Sequence, residues 1–257
     1  MLEVRDVRCG YDSGRGREEV LHGISLSIRK GERLYITGPN GCGKTTLLRC
    51  IAGLLPFRGT IELGGRDIRR IPRKELARQT GILSQISSVY FPYTVFDTVA
   101  LGRYAHIQGV FGQLSPEDRA FAEQCLERVG LAELRNRPIS ELSGGQLQRV
   151  FLARLFAQDP ELILLDEPTN HLDLKYQLEL LEYVTAWSQE AGKTVVGVLH
   201  DLNLVCAFAS QVALMNQGRI LALGTPDDAL SGELLQECYQ IDVRSWMLQS
   251  LSNWKRG

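Results

Sequence analysis

Nine consecutive residues, Gly38-Pro39-Asn40-Gly41-Cys42-Gly43-Lys44-Thr45-Thr46, have the types and spacing needed to hold phosphate. The glycines let the backbone bend so that successive N–H groups point inward at an anion. Lys44 can reach the β- and γ-phosphates of a nucleoside triphosphate, and the Thr45 hydroxyl can ligate Mg²⁺. Residues 33–37 ahead of the loop read as a short strand, and residues 46–52 behind it have helical spacing. A helix at that place turns its positive N-terminal end toward the same anion. Cys42 lies inside the loop, and a thiol beside a helix N-terminus is expected to have a lowered pKa and raised reactivity.

Two further stretches carry chemistry. Asp166 and Glu167 follow the apolar run Leu162-Ile163-Leu164-Leu165, at the end of an expected buried strand, where open parallel sheets bind ligands. Asp166 suits a Mg²⁺ ligand. Glu167 suits a general base that polarises an attacking water. Alone, the pair could equally be an acidic exit from a strand. Leu142-Ser143-Gly144-Gly145-Gln146 precedes an apolar helix and could form a second anion site at its N-terminus, or a plain Ser/Gly helix cap. One γ-phosphate has no need of two such loops in one chain. A head-to-tail dimer does, with each Ser143 loop closing on the nucleotide held by the other chain's Lys44 loop.

The elements that must position these residues can be read in outline. Residues 2–7 and 20–28 alternate as half-buried strands, with a polar loop at 12–19 between them. Residues 59–63 and the Gly64-Gly65 turn suggest a further hairpin. Residues 80–84 read as a buried strand ending at Gln85. Ser115-Pro116-Glu117-Asp118 is a strong helix start and Gly130 a stop, so residues 87–158 read as a mainly helical insertion. Strands at 162–165 and 194–199 then alternate with helices at 174–191 and 202–209. Strands at 212–216 and 219–223 flank a Gly218 turn, and a polar, helical tail runs from residue 226. Fully apolar strands alternating with helices imply a parallel sheet covered on both faces.

The 257 residues suffice for one sizeable core, at 44% hydrophobic and 23% charged. A net charge of −1 gives no global electrostatic case for nucleic acid or for an anionic membrane. No run of 18 apolar residues is present. The N-terminus lacks the apolar stretch of a signal peptide. Six scattered cysteines without a Cys-x2-Cys pair point to free thiols in a reducing compartment.

The order phosphate loop, Gln85, Leu-Ser-Gly-Gly-Gln, Asp166-Glu167, Asp173, His200 resembles the nucleotide-binding subunits of ATP-binding cassette (ABC) transporters over about residues 2–245. The resemblance implies an α/β fold. Its phosphate-loop NTPase core has a mainly parallel sheet (residues 1–86 and 159–245), with an antiparallel β subdomain, an inserted helical subdomain (87–158) and a short tail (246–257), all one ATPase domain. It implies ATP and Mg²⁺ as ligands. By position, Tyr11 matches the aromatic that stacks on adenine. Gln85 matches the glutamine that contacts Mg²⁺ and senses the permease. Asp173 matches the loop that crosses the dimer interface, and His200 the switch residue at the γ-phosphate. Glu167, His200 and Gln85 are thus the expected catalytic set. Thr45, Gln85 and Asp166 are the expected metal set.

The stretch from Gln85 to Tyr104 matches the surface that takes a short helix of the membrane permease, and residues 99–106 resemble importers of iron–siderophore complexes, haem and cobalamin. Other nutrient cargoes, such as zinc or manganese, and a non-transport ABC ATPase are the alternatives. The expected setting is peripheral, on the cytoplasmic face of the inner or plasma membrane. A second copy and permease subunits are direct partners, a periplasmic or lipoprotein-anchored binding protein is an indirect one, and nucleic acid is not a partner.

Overall fold

The computed structural model describes residues 1–14, 16–84, 93–107, 113–170 and 172–254. Gln85, His171 and the aromatic stretch 86–92 therefore lie outside the described residues. In chain order the strands are β1 (Leu2–Ser13), β2 (Gly16–Ile28), β3 (Arg33–Thr37), β4 (Arg58–Leu63), β5 (Arg66–Asp67), β6 (Thr80–Ser84), β7 (Leu162–Asp166), β8 (Thr194–Val198), β9 (Gln211–Asn216) and β10 (Arg219–Gly224). The α-helices are α1 (Lys44–Ile51), α2 (Arg73–Gln79), α3 (Val95–Ala100), α4 (Pro116–Arg128), α5 (Gly144–Gln158), α6 (Leu174–Ala191), α7 (Leu202–Phe208), α8 (Pro226–Ala229), α9 (Gly232–Tyr239) and α10 (Val243–Trp254). They fall into two compact units. One is Met1–Asp67 with Val198–Gly257, and the other is Ile68–Gly197.

The first unit holds an antiparallel sheet in the order β2-β1-β4-β5 and the strands β10-β9-β3. β3 and β9 run parallel with Leu34 opposite Gln211. β1 and β2 are longer than apolar alternation alone predicts. The residues expected to form a polar loop at 12–19 instead pair across a tight hairpin, with Tyr11 opposite Glu18 and Asp12 opposite Arg17. Both faces of that ribbon are polar, so its strand character does not show as an apolar period. Leu34, Tyr35, Ile36 and Thr37 of β3 are all at most 1% exposed, which fixes the entry to the phosphate loop. The C-terminal helices α8–α10 belong to this unit, where Leu202, Leu235 and Val243 share an apolar cluster with Tyr239 and Met247.

In the second unit β8, β7 and β6 are neighbours in that order. β6 and β7 are parallel, with Ser84 directly opposite Asp166. Leu162–Leu165 are buried on every side, as expected of a strand covered on both faces. Around it α4 starts at a capping box between Ser115 and Asp118, as its sequence predicts. α5 is fixed on one side by the stacked rings of Phe156 and Trp187, 4.5 Å apart. On another side Arg103 bridges Asp118 at 2.7 Å and donates to the Ala157 carbonyl at 2.9 Å. α2 was not legible as a helix, because Arg-Lys-Glu-Leu-Ala-Arg-Gln contains no fully buried residue and so no apolar stripe.

Candidate functional site

The phosphate loop is built in the first unit. Its glycines are required by space as well as by backbone angle. Gly38 has φ 142°, and a Cβ there would lie 2.0 Å from the Met215 carbonyl oxygen. Gly43, with φ 102°, is the N-cap of α1 and supplies no side-chain cap. The amides of the first turn of α1 are therefore not claimed by a capping side chain, which suits an anion held by N–H groups. Lys44 is 4% exposed, and its Nζ donates to the carbonyls of Gly38 at 2.8 Å and Pro39 at 2.9 Å. The ammonium is thereby tied to the backbone of the loop itself. From behind, the Gly218 N–H donates to the Cys42 carbonyl at 3.1 Å, so the β9–β10 turn braces the loop.

The surroundings of Cys42 correct one expectation. The thiol is buried, and burial pushes its pKa above the ordinary value. Lys44 and the loop amides pull it down, but by less. The low-pKa, reactive thiol expected from the helix terminus is therefore not what the fold makes. Tyr11 of β1 is 43% exposed, with its hydroxyl 3.2 Å from Thr46 Oγ1. Its hydroxyl thus lies against the first turn of α1. His200 follows Leu199, whose N–H donates to the Ile36 carbonyl, and precedes Asp201, the N-cap of α7. His200 is therefore held at the loop-proximal end of the strands that include β3.

The acids and the serine loop are built in the second unit. Asp166 is the last residue of β7 and is half-buried. Glu167 has φ 52°, a left-handed conformation that non-glycine residues adopt rarely and that recurs at functional positions. Asn170 holds it there. Its Nδ2 donates to Glu167 Oε2 at 2.6 Å, and its N–H donates to the Glu167 carbonyl at 3.3 Å. Asp173 is the N-cap of α6 and accepts from the Tyr176 N–H at 3.1 Å.

Ser143 is the N-cap of α5. Its hydroxyl accepts from the Gln146 N–H at 3.3 Å, and Gln146 Oε1 accepts from the Ser143 N–H at 3.0 Å. Both Ser143 and Gly144 are exposed. Gly145 is buried, because a Cβ there would meet the Tyr176 ring at 3.0 Å. This contact couples the start of α5 to the start of α6. A second coupling runs from Gln148 Nε2 to the Pro168 carbonyl at 3.1 Å, just beyond Glu167. Asn170, Gln148 and Tyr176 escape a reading of the sequence. Each acts through a contact set by the turn after β7, and no motif spacing announces it.

Oxygen donors of the type that Mg²⁺ takes are present as Thr45 and Asp166. Among the described residues no group of three or more His, Cys, Asp or Glu side chains could hold a metal ion. Single oxygen donors of this kind suit a cation carried mainly by phosphates and water, which is how Mg²⁺ binds with nucleotides.

Residues 21–170 match the family model described as ABC transporter. The chain is 38% identical over 243 residues to the iron(3+)-hydroxamate import ATP-binding protein FhuC of Bacillus subtilis, covering 94% of this chain and 88% of that protein. It is 41% identical over 235 residues to the hemin import ATP-binding protein HmuV of Rhizobium meliloti, covering 88% and 87%. It also shares 38% identity over 242 residues with the B. subtilis ABC transporter ATP-binding protein YvrA, of which it spans only 55%. Among solved structures it superposes on an inward-facing metal-chelate type ABC transporter with a TM-score of 0.81 and 31% identity, covering 94% of this chain and 89% of that one. It superposes on a dimeric bacterial ABC transporter cassette with a TM-score of 0.78 and 29% identity, covering 88% and 99%. A post-hydrolysis dimer bound to ADP and phosphate matches at a TM-score of 0.77. With its phosphate loop, its Leu-Ser-Gly-Gly-Gln helix start and its strand-end acids all on this fold, the chain belongs to the ABC transporter family as an ATP-binding cassette.

Proposed function

We propose that the chain is the ATP-hydrolysing, energy-coupling subunit of a membrane importer for a metal chelate: an iron–siderophore complex, haem or cobalamin. The observation that carries this reading is the match, over about nine-tenths of the chain, to import ATP-binding proteins for hydroxamate iron and hemin. The dimeric cassettes among its structural neighbours support the pairing of two copies. That no helix among the described residues is long and apolar enough to cross a membrane is consistent with a peripheral place on a separate permease.

In this reading the Gly38–Thr46 backbone and Lys44 bind the triphosphate, and Tyr11 offers its ring to adenine. Mg²⁺, when bound with the nucleotide, neutralises phosphate charge, with Thr45, Asp166 and Gln85 as its protein-side donors. Glu167 accepts a hydrogen bond from the attacking water and raises its nucleophilicity. His200 contacts the γ-phosphate. Ser143–Gln146 and Asp173 serve the nucleotide of the partner copy, so neither chain hydrolyses efficiently alone. The surface from Gln85 to Tyr104 faces the permease. Within it Tyr93 and Tyr104 are exposed.

The test is capture of tagged Glu167→Gln protein with ATP from detergent-solubilised native membranes, read by mass spectrometry. A many-helix permease of the metal-chelate type is expected. Ribosomal proteins or soluble assembly factors without a membrane protein would leave the ATP chemistry and overturn the transport role.

A further inference from the structure

The near-neutral net charge of the chain conceals a concentrated basic face. Residues 69–74 read Arg69-Arg70-Ile71-Pro72-Arg73-Lys74, four cations in six residues with no acid. Ile68 and Ile71 are 4% and 5% exposed and anchor the segment, while Arg69, Arg70, Arg73 and Lys74 are all exposed. The face is held in place. Lys74 Nζ donates to the Ile107 carbonyl at 2.7 Å, Arg78 donates to the Ala105 carbonyl, and Gln158 donates to the carbonyls of Ala77 and Thr80. Among the described residues the side chains of Arg70 and Arg73 make no ion pair or hydrogen bond.

Contacts within the fold do not account for the charges of Arg70 and Arg73. Arg73 and Lys74 open α2, at the helix end where a cation is disfavoured. Glu75 is the only acid in that turn and is half-buried. Four like charges on neighbouring residues also repel one another. A local sequence choice that opposes local stability is the signature of a functional surface.

We infer that this basic face rests on the anionic headgroups of the inner leaflet when the subunit is docked on its permease. The inference depends on the permease-docking reading above. The bonds from Lys74 and Arg78 reach Ile107 and Ala105, immediately after exposed Tyr104, so the basic face adjoins the surface proposed for the permease. The attraction acts only within a Debye length of the bilayer, about 10 Å at 0.1 M salt, so the seat on the permease must bring the face that close.

The chemistry of the face also favours headgroups over a protein or nucleic acid. It has long cationic side chains, but no exposed aromatic or large aliphatic residue from 69 to 78 to form an interface anchor or a base-stacking platform. Each such cation near an anionic leaflet multiplies the partition by roughly five-fold. The contact would hold the docked subunit in one orientation and keep it at the membrane between permease encounters.

The experiment is co-sedimentation of the full chain with vesicles of phosphatidylcholine, with and without phosphatidylglycerol, at low and raised ionic strength. It compares wild type with the double variant Arg70→Glu, Arg73→Glu. Melting temperature and ATP turnover of the double variant are measured alongside and are expected to match wild type. The wild type is expected to bind only vesicles containing phosphatidylglycerol, to release in salt, and to lose binding by at least about 10²-fold in the double variant. Equal binding to neutral vesicles, or unchanged binding by the double variant, overturns the proposal. If the double variant binds vesicles as wild type does but no longer captures the permease, the face meets an acidic protein segment and the lipid assignment is wrong. If wild type itself captures no permease, the docking reading fails, and the vesicle result then bears on the basic face alone.

Discussion

Glu167 joins two properties that seldom coincide: a carboxylate at the end of a buried parallel strand, and a left-handed backbone with φ 52°. Such a conformation costs of order 1 kcal/mol or more and persists only where the surroundings impose it. Asn170 contributes to it, through a side-chain bond of 2.6 Å to the carboxylate and a backbone bond to its carbonyl. Because the acceptor is charged, the side-chain bond is worth about 1.5–3 kcal/mol. Asn170→Ala is therefore expected to lower kcat by about ten-fold or more, with the KM for ATP nearly unchanged and the melting temperature lowered by a few degrees, at about 2–4 °C per kcal/mol. A matching rise in KM would make Asn170 a nucleotide-binding residue instead. At this scale the sequence names the residues whose type is the message, such as Lys44, Asp166 and Glu167. It does not name Asn170 or Gln148, whose roles come from where a turn places an amide. Nor does it weigh burial against charge at Cys42, where burial prevails.

At the scale of elements, the start of α5 has two purposes in the proposed account. Ser143 caps the helix, so the plain structural reading of Leu142–Gln146 is correct as far as it goes. The same exposed serine and glycine are also where a partner's phosphate would land. The two purposes can be separated. Ser143→Ala removes the cap and should cost about 1 kcal/mol, lowering the melting temperature by about 2–4 °C. Ser143→Asp restores a good cap but turns a negative charge toward the phosphate. Calorimetry should then show stability recovered, while light scattering shows ATP-dependent dimerisation lost. Dimerisation of the Asp variant at wild-type ATP concentrations would reduce Ser143 to a cap. Helices with caps or apolar stripes, α4 and α6 among them, were legible beforehand. The two-sided polar hairpin of β1 and β2, and the stripe-free α2, were not, because tertiary pairing rather than local pattern makes them.

Across the whole molecule, composition describes an ordinary chain of net charge −1, while function resides in local concentrations that the average erases. The glycine cradle at Gly38–Gly43, the acid pair at the end of β7 and the basic run at 69–74 are three such concentrations. The order of motifs along the chain fixed the family, and the relatives support the chelate cargo. In the proposed importer the cargo is recognised by other subunits, so no residue of this chain is expected to encode it.

The most direct measurement is steady-state ATP hydrolysis by Glu167→Gln, at nucleotide concentrations where titration shows it binding ATP as tightly as wild type. The expected result is a loss of about 10²-fold or more in turnover, the scale for removal of a general base, together with a stable ATP-bound dimer. Turnover near the wild-type rate with ATP bound would contradict the account, because Glu167 would then not be the residue that activates water.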